Sequence, residues 1–293
     1  MLNKGPLYVL TCYILWGVLP IFWKTLSAVN SLYVLASRII WSLVFVTIIM
    51  LAQNKGGALK AVLKDKKELI RLVWAGIFVC INWGSYIIAV NGGRGVDASL
   101  AYYMNPILAI LLGTIVFREK LTKLQWLSVA VTFAGLVVTI VRYRQIPWMA
   151  LIIGGSFAIY GAIKKGVHVE PGVSQFYETL VLAPFALIFM GVSEMQGAGA
   201  VGVLSGAQWL LLPVAGIVTT VPLLCYAKGI KTTPMTLSGI LMYINPTLQL
   251  MVAVLLYHEE FTATHAILFA FVWSGLALYL IAGVMKNRKE HAA

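Results

Sequence analysis

Two stretches, Tyr102-Tyr103-Met104-Asn105-Pro106 and Met242-Tyr243-Ile244-Asn245-Pro246, set an amide and a helix breaker inside long apolar runs. Proline withholds the N–H owed to the carbonyl four residues earlier, so a freed acceptor sits beside each asparagine and must be met by water, a side chain or a ligand. At about 100° per residue, Ala98, Tyr102, Asn105, Ala109 and Gly113 share one helix face. Ser238, Met242, Asn245 and Gln249 share the matching one. Faces of this kind can hold a small solute by hydrogen bonds and ring contacts. The plainer alternative is a bend, with each asparagine bonding its own helix.

Other residues fit the same chemistry. Asn82, Ser85, Tyr86 and Ala89 fall on one face with Trp83 nearby, answered by Thr219, Pro222 and Tyr226. Tyr13, Trp16, Pro20 and Trp23 align along the first apolar segment. Aromatic rings with a few polar handles suit an amphipathic or aromatic small molecule. Trp16, Asn82, Trp83, Tyr86 and Tyr226 therefore join Tyr102, Asn105, Met242, Asn245 and Gln249 as expected substrate contacts, whereas Trp23, near a segment end, reads as an interfacial ring. Two charges fall inside apolar segments, Arg38 and Glu178, and such charges are functional by default. They read as gating groups, with Glu178 the first candidate to carry a coupling proton. The alternatives are that Arg38 snorkels outward and that Lys164 or Lys165 neutralises Glu178. The four histidines sit in loops or near segment ends, and no HExxH or paired intramembrane aspartates occur, so neither a metal centre, a cofactor nor an enzymatic site is expected.

The elements that carry these groups follow from composition. Of 293 residues, 60% are hydrophobic and 11% charged, which marks a membrane protein. A hydrocarbon core needs about 20 apolar residues per helix, and ten segments qualify: 6–26, 31–52, 69–91, 97–117, 122–141, 147–164, 173–195, 207–229, 235–257 and 262–285. They are continuously apolar rather than alternating, which predicts helices and not a barrel. The first segment lacks a small-residue cleavage site and reads as a permanent helix. Cys12, Cys80 and Cys225 have no metal spacing and read as packing residues. The fifth segment carries Ser128, Ala130, Ala134 and Gly135, suited to helix packing or a homodimer.

A net charge of +12 could suggest nucleic acid, but its placement argues otherwise. With a cytoplasmic N-terminus, seventeen of the 22 lysines and arginines fall on that side: Lys4, Lys55, Lys60, Lys64, Lys66, Lys67, Arg71, Arg118, Lys120, Lys123, Lys164, Lys165, Lys228, Lys231, Lys286, Arg288 and Lys289. Lys24, Arg94, Arg142 and Arg144 fall opposite, so the expected protein is multi-pass with both termini cytoplasmic and lipid, not nucleic acid, around it.

A shift of 140 superposes Asn105-Pro106 on Asn245-Pro246, Tyr103 on Tyr243, Glu119 on Glu259, Tyr86 on Tyr226 and Gly76 on Gly216. The fold expected is an all-α membrane protein of ten transmembrane helices in two five-helix repeats, 1–143 and 144–293, forming one integrated domain. Five is odd, so the second repeat must enter from the opposite side, an inverted arrangement that places solute sites near the midplane. Loss of basic residues between FREKL (Phe117–Leu121) and YHEEF (Tyr257–Phe261) agrees with inversion. Arg38 and Glu178 are also related by 140, and inversion separates them by roughly 12 Å along the membrane normal.

Tandem halves with these Asn-Pro segments resemble the EamA-type drug/metabolite transporter superfamily. YILWGVLPIFWK (Tyr13–Lys24), Asn82-Trp83, Ala89–Asn91, DASLAYYMNP (Asp97–Pro106), YETL (Tyr177–Leu180) and GIVTTVPLLCYA (Gly216–Ala227) look like its RarD branch. One departure is FAIYG (Phe157–Gly161), which stands where a tryptophan-glycine opening would repeat. The resemblance implies a secondary permease in the cytoplasmic membrane, moving an amphipathic or aromatic metabolite, amino acid or drug outward by alternating access, with proton coupling open. A passive channel or facilitator is the alternative.

Overall fold

In the computed structural model, described for residues 4–91, 95–143, 148–258 and 263–292, the regular structure is helical throughout. The elements are α1 (Gly5–Thr25), α2 (Ser31–Ala52), α3 (Gly56–Lys64), α4 (Lys66–Asn91), α5 (Gly95–Ile115), α6 (Lys123–Tyr143), α7 (Trp148–Lys165), α8 (Pro171–Met195), a 3-10 turn (Gly206–Leu210), α9 (Leu211–Ile230), α10 (Met235–Leu241), α11 (Ile244–Leu256) and α12 (Ala263–Ala292). Eight helical stretches among the described residues are long and apolar enough to cross a membrane: Gly5–Thr25, Ser31–Ala52, Lys66–Ala89, Lys123–Arg142, Pro171–Met195, Gly206–Ile230, Met235–Leu256 and Ala266–Met285. Ala101–Ile115 in α5 is a shorter apolar helix, and α7 has 18 residues ending in two lysines. Arg94, Arg144 and Glu259 lie outside the described residues.

Local chemistry sets the ends. Asn30 caps α2, its Oδ1 accepting from Leu32 N at 2.9 Å and Tyr33 N at 3.3 Å. Pro171 opens α8, where its missing N–H costs nothing. The basic loop after α2 folds into the short amphipathic α3, with Val62 buried and Tyr177 of α8 donating to Leu59 O at 2.7 Å. The two Asn-Pro copies differ. α5 runs through Pro106 unbroken, whereas the ninth segment parts into α10 and α11 around Met242 and Tyr243, just before Pro246. There Asn245 N reaches the freed Met242 carbonyl at 3.0 Å, a tighter turn that substitutes for the missing bond.

The helices pack in pairs that exchange when the two halves of the chain are exchanged. α4 meets α7 as α9 meets α1; α4 meets α8 as α9 meets α2; α5 meets α7 as α10 and α11 meet α1; α2 meets α8, α5 meets α10 and α6 meets α12. Close crossings need bare backbone. A Cβ on Gly76 would lie 2.8 Å from Glu178 O, and one on Gly216 would lie 2.5 Å from the carbonyl carbon of Trp41. A Cβ on Gly17 would lie 2.6 Å from Leu248 Cβ, and one on Gly154 would lie 3.2 Å from Leu108 Cδ1. Each leucine stands two residues after an Asn-Pro proline. Ser128 and Gly135 of α6 face α12, at Gly275 and Phe271, while Ala130 and Ala134 are exposed. Ile48, Leu51, Ile115, Val141, Phe185 and Leu255 stay exposed outside the bundle, as lipid-facing side chains do.

Candidate functional site

A cavity of about 410 Å³ lies between α1, α2, α4, α5, α7 and α11, with Met242 of the α10–α11 junction also lining it, within the usual size of a small-molecule site. Nine of the ten residues expected to touch substrate line it: Trp16, Asn82, Trp83, Tyr86, Tyr102, Asn105, Met242, Asn245 and Gln249. Arg38 joins them, and so does Trp23. Phe157 and Lys24 also line the cavity and were not singled out by sequence, although FAIYG marks the segment equivalent to the tryptophan-rich first helix.

The polar groups are individually arranged. Asn82 Nδ2 donates to Ile153 O at 2.7 Å, tying α4 to α7. Gln249 Nε2 donates to Asn245 Oδ1 at 2.8 Å, one turn apart on α11. Asn105 Oδ1 is buried without a hydrogen-bond partner among the described residues, so the simple reading in which this amide bonds its own helix fails for that oxygen. Tyr86 and Tyr102 meet edge to face, centroids 5.4 Å apart. The Arg38 guanidinium carbon lies 4.1 Å from the Trp83 ring centroid and 4.9 Å from that of Trp23.

The cavity opens at the α1–α2 connection. Lys24, Ser27 and Ser31, at the α1–α2 connection, line it and are exposed. At the other end Tyr13, Tyr160 and Tyr226 are completely buried. Trp16 and Phe157 pack at 5.4 Å, Tyr160 stacks on Tyr226 at 6.0 Å, and Tyr13 shares a 2.8 Å hydrogen bond with Ser238. Tyr226 thus belongs to this aromatic seal and not to the cavity lining, because α9 turns it toward α1 and α7. Glu178 is also away from the cavity. It is buried and pairs with Lys164 at 2.5 Å, accepts from Ser174 Oγ at 2.5 Å and from Tyr160 OH at 3.2 Å. The spacings Tyr160-Lys164 and Ser174-Glu178, each one helical turn, were the available signal for this cluster.

Beyond the seal, loops at the same end interlock. Glu119 accepts from Met235 N at 2.6 Å and Thr236 N at 2.8 Å, capping α10 from the α5–α6 connection. Lys165 donates to Thr233 O, and Lys231 to Val169 O. Burial, and then the nearby Lys164, lower the pKa of Lys231 from the usual lysine value. Glu68 accepts from His168 N at 2.6 Å and from Arg71 Nη1 at 3.1 Å, and Lys55 meets Glu170 at 2.6 Å.

The sequence pattern of the EamA-like transporter family matches residues 3–141 and again residues 146–281. The uncharacterized transporter YojE of Bacillus subtilis (strain 168) is 39% identical over an alignment of 296 positions that covers 99% of this chain and 98% of its own. Protein RarD of Salmonella typhi is 33% identical over 288 residues, 98% of each chain. A solved crystal structure superposes with a TM-score of 0.72 over 96% of this chain and 99% of the other, at 19% identity, a likeness of fold alone. With the family pattern met twice and relatives matched over nearly its whole length, the chain belongs to the EamA-like transporter family, in its RarD-like branch, and is a multi-pass membrane transporter.

Proposed function

We propose that the protein is a secondary permease of the cytoplasmic membrane that moves a small amphipathic or aromatic solute by alternating access. The observation that carries this reading is a mid-chain cavity open at the α1–α2 end and sealed at the other by Tyr13, Tyr160 and Tyr226. A carrier needs such a site with one closed end; a channel needs a continuous path, and the aromatic seal interrupts it. The ten cavity-lining and seal residues named from sequence act, in this reading, as substrate contacts, with Tyr226 on the closed side. The Lys164–Glu178 pair acts as a latch of that side, and protonation of Glu178 would release it. Export as the direction is taken over from the family resemblance.

The topology we propose has ten crossings, two inverted five-helix halves and both termini on the cytoplasmic side. Support comes from the exchange of packing partners between the halves. It also comes from Tyr243 OH, which donates to the carbonyl of Tyr103, the residue 140 positions earlier, at 3.3 Å. Contact between equivalent residues is what a two-fold axis passing between α5 and α10 produces. The sealed end carries Lys55, Arg71, Lys165, Lys228 and Lys231, so positive-inside reasoning makes it cytoplasmic and the open end external.

Counterflow in proteoliposomes tests the reading. A carrier preloaded with unlabelled solute takes up labelled solute faster and saturably. Flux that neither saturates nor responds to the preload would replace the carrier by a channel or facilitator.

A further inference from the structure

We infer that the cavity selects a small molecule with one carboxylate beside a flat or apolar body, and that Arg38 receives the carboxylate. The inference rests on the cavity being the transport site.

The charge inventory is one-sided. Arg38 and Lys24 line the cavity, and no acidic residue does so among the described residues. Glu178 and Glu119, which stand nearest the sealed end, are engaged by Lys164 and by the α10 backbone. Arg38 itself has no carboxylate partner and no hydrogen bond among the described residues, and its Nε is buried without an acceptor. An arginine inside a membrane segment ordinarily pairs with another group or opens onto a water-filled space. Here the ring neighbours are two indoles, at 4.1 and 4.9 Å from the guanidinium carbon, and the Tyr102 phenol, a neutral group, is near enough to interact electrostatically without forming a hydrogen bond. The indoles accept charge on ring faces but supply no hydrogen-bond acceptor, and no carboxylate stands among these neighbours. Ring contact holds the planar head in place and leaves its donor fork for a partner of matching shape, which is a carboxylate.

The rest of the lining fits the remainder of such a molecule. Trp16, Phe157 and Met242 offer an apolar surface, while the Tyr102 ring, 5.4 Å from that of Tyr86, lies near Arg38. A single arginine matches one negative charge. Lys24 is exposed at the mouth, its ammonium 5.1 Å from the Tyr257 ring, where it attracts an anion without being buried beside it. A cationic solute would meet Arg38 with no acidic group to offset the repulsion.

Matched ligands test this on the purified full-length protein in nanodiscs. Phenylacetate, phenylacetamide and phenethylamine share a body and differ in charge; hexanoate and benzoate vary the body at constant charge. Binding is read by thermal shift and by tryptophan emission, which Trp23 and Trp83 make sensitive to occupancy next to Arg38. Phenylacetate is expected to bind roughly tenfold or more tighter than its amide, and the amine weakest. Arg38→Gln should bring the acid-to-amide ratio to about one, and Arg38→Lys should restore part of it. The inference is overturned if the amide or amine matches the acid, if Arg38→Gln keeps the preference, or if none of the three carboxylates binds at millimolar concentration. Should Arg38→Gln fail to fold, the ranking on the unaltered protein decides alone. Binding is measured without transport, so the two readings fail separately. A carboxylate-selective cavity without counterflow would sink the carrier, and saturable counterflow of the amine would sink the carboxylate assignment.

Discussion

Lys164 and Glu178 are both about 1% exposed, and each is the other's only ion-pair partner among the described residues. Removing one partner of such a pair leaves a buried charge bare, which costs roughly 3–5 kcal/mol, whereas replacing both can be near neutral. Lys164→Met should therefore lower the thermal unfolding temperature in detergent strongly, and Lys164→Met with Glu178→Gln should recover most of the loss. Equal stability of all three proteins would remove the latch. Glu178→Gln should also flatten any pH dependence of uptake; an unchanged profile would leave the carboxylate a purely structural role. Asn105→Leu and Asn245→Leu are expected to cut transport about tenfold each while the protein still folds, as loss of one substrate hydrogen bond would. Unchanged uptake would make Asn-Pro a bend only. Polar and aromatic residues in greasy segments were legible in the sequence because they are rare there. Which side of its helix each one faces was less so: Tyr226 reads as a cavity residue until α9 is set against α1 and α7.

The helices themselves were legible because an apolar run of the length of a bilayer has few other uses, and the structure starts and stops α1, α2 and α8 within about two residues of the sequence reading. Two features were not. The α3 helix lies in a lysine-rich loop whose only strong signal is a short amphipathic pattern, and the parting of α10 from α11 depends on how the chain turns at Met242 and Tyr243. Glycine crossings explain why these helices approach so closely. Gly216→Ala drives a methyl into the Trp41 backbone and Gly76→Ala into that of Glu178, where backbone cannot step aside. Each should destabilise the protein by about 1–3 kcal/mol. Gly57→Ala, with open space around it, should not. Thermal unfolding of the three variants checks the order, and an unaffected Gly216→Ala would mean the α2–α9 contact is looser than described. Glu119→Gln should weaken the cap on α10, by about 1 kcal/mol, and loosen the sealed end along with it.

At the scale of the whole molecule three asymmetries coincide among the described residues: an opening at the α1–α2 connection, a sealed end rich in basic residues, and Arg38 facing the cavity from a helix long enough to cross a membrane. Inversion of the halves predicts that cysteines placed at Lys120 and at Glu259, in a background lacking Cys12, Cys80 and Cys225, react with an impermeant reagent from opposite sides of the membrane. Reaction from the same side would end the inverted topology. If the two ends open in turn, cysteines placed toward each end must change their accessibility in opposite directions. Leu35→Cys lines the cavity near its mouth, and Ala227→Cys is buried beside the seal. In sealed vesicles holding the protein, a bound solute that drives the cycle should lower the labelling rate of one of these cysteines while raising that of the other. Rates that rise together, or that ignore every ligand the cavity binds, would contradict alternating access.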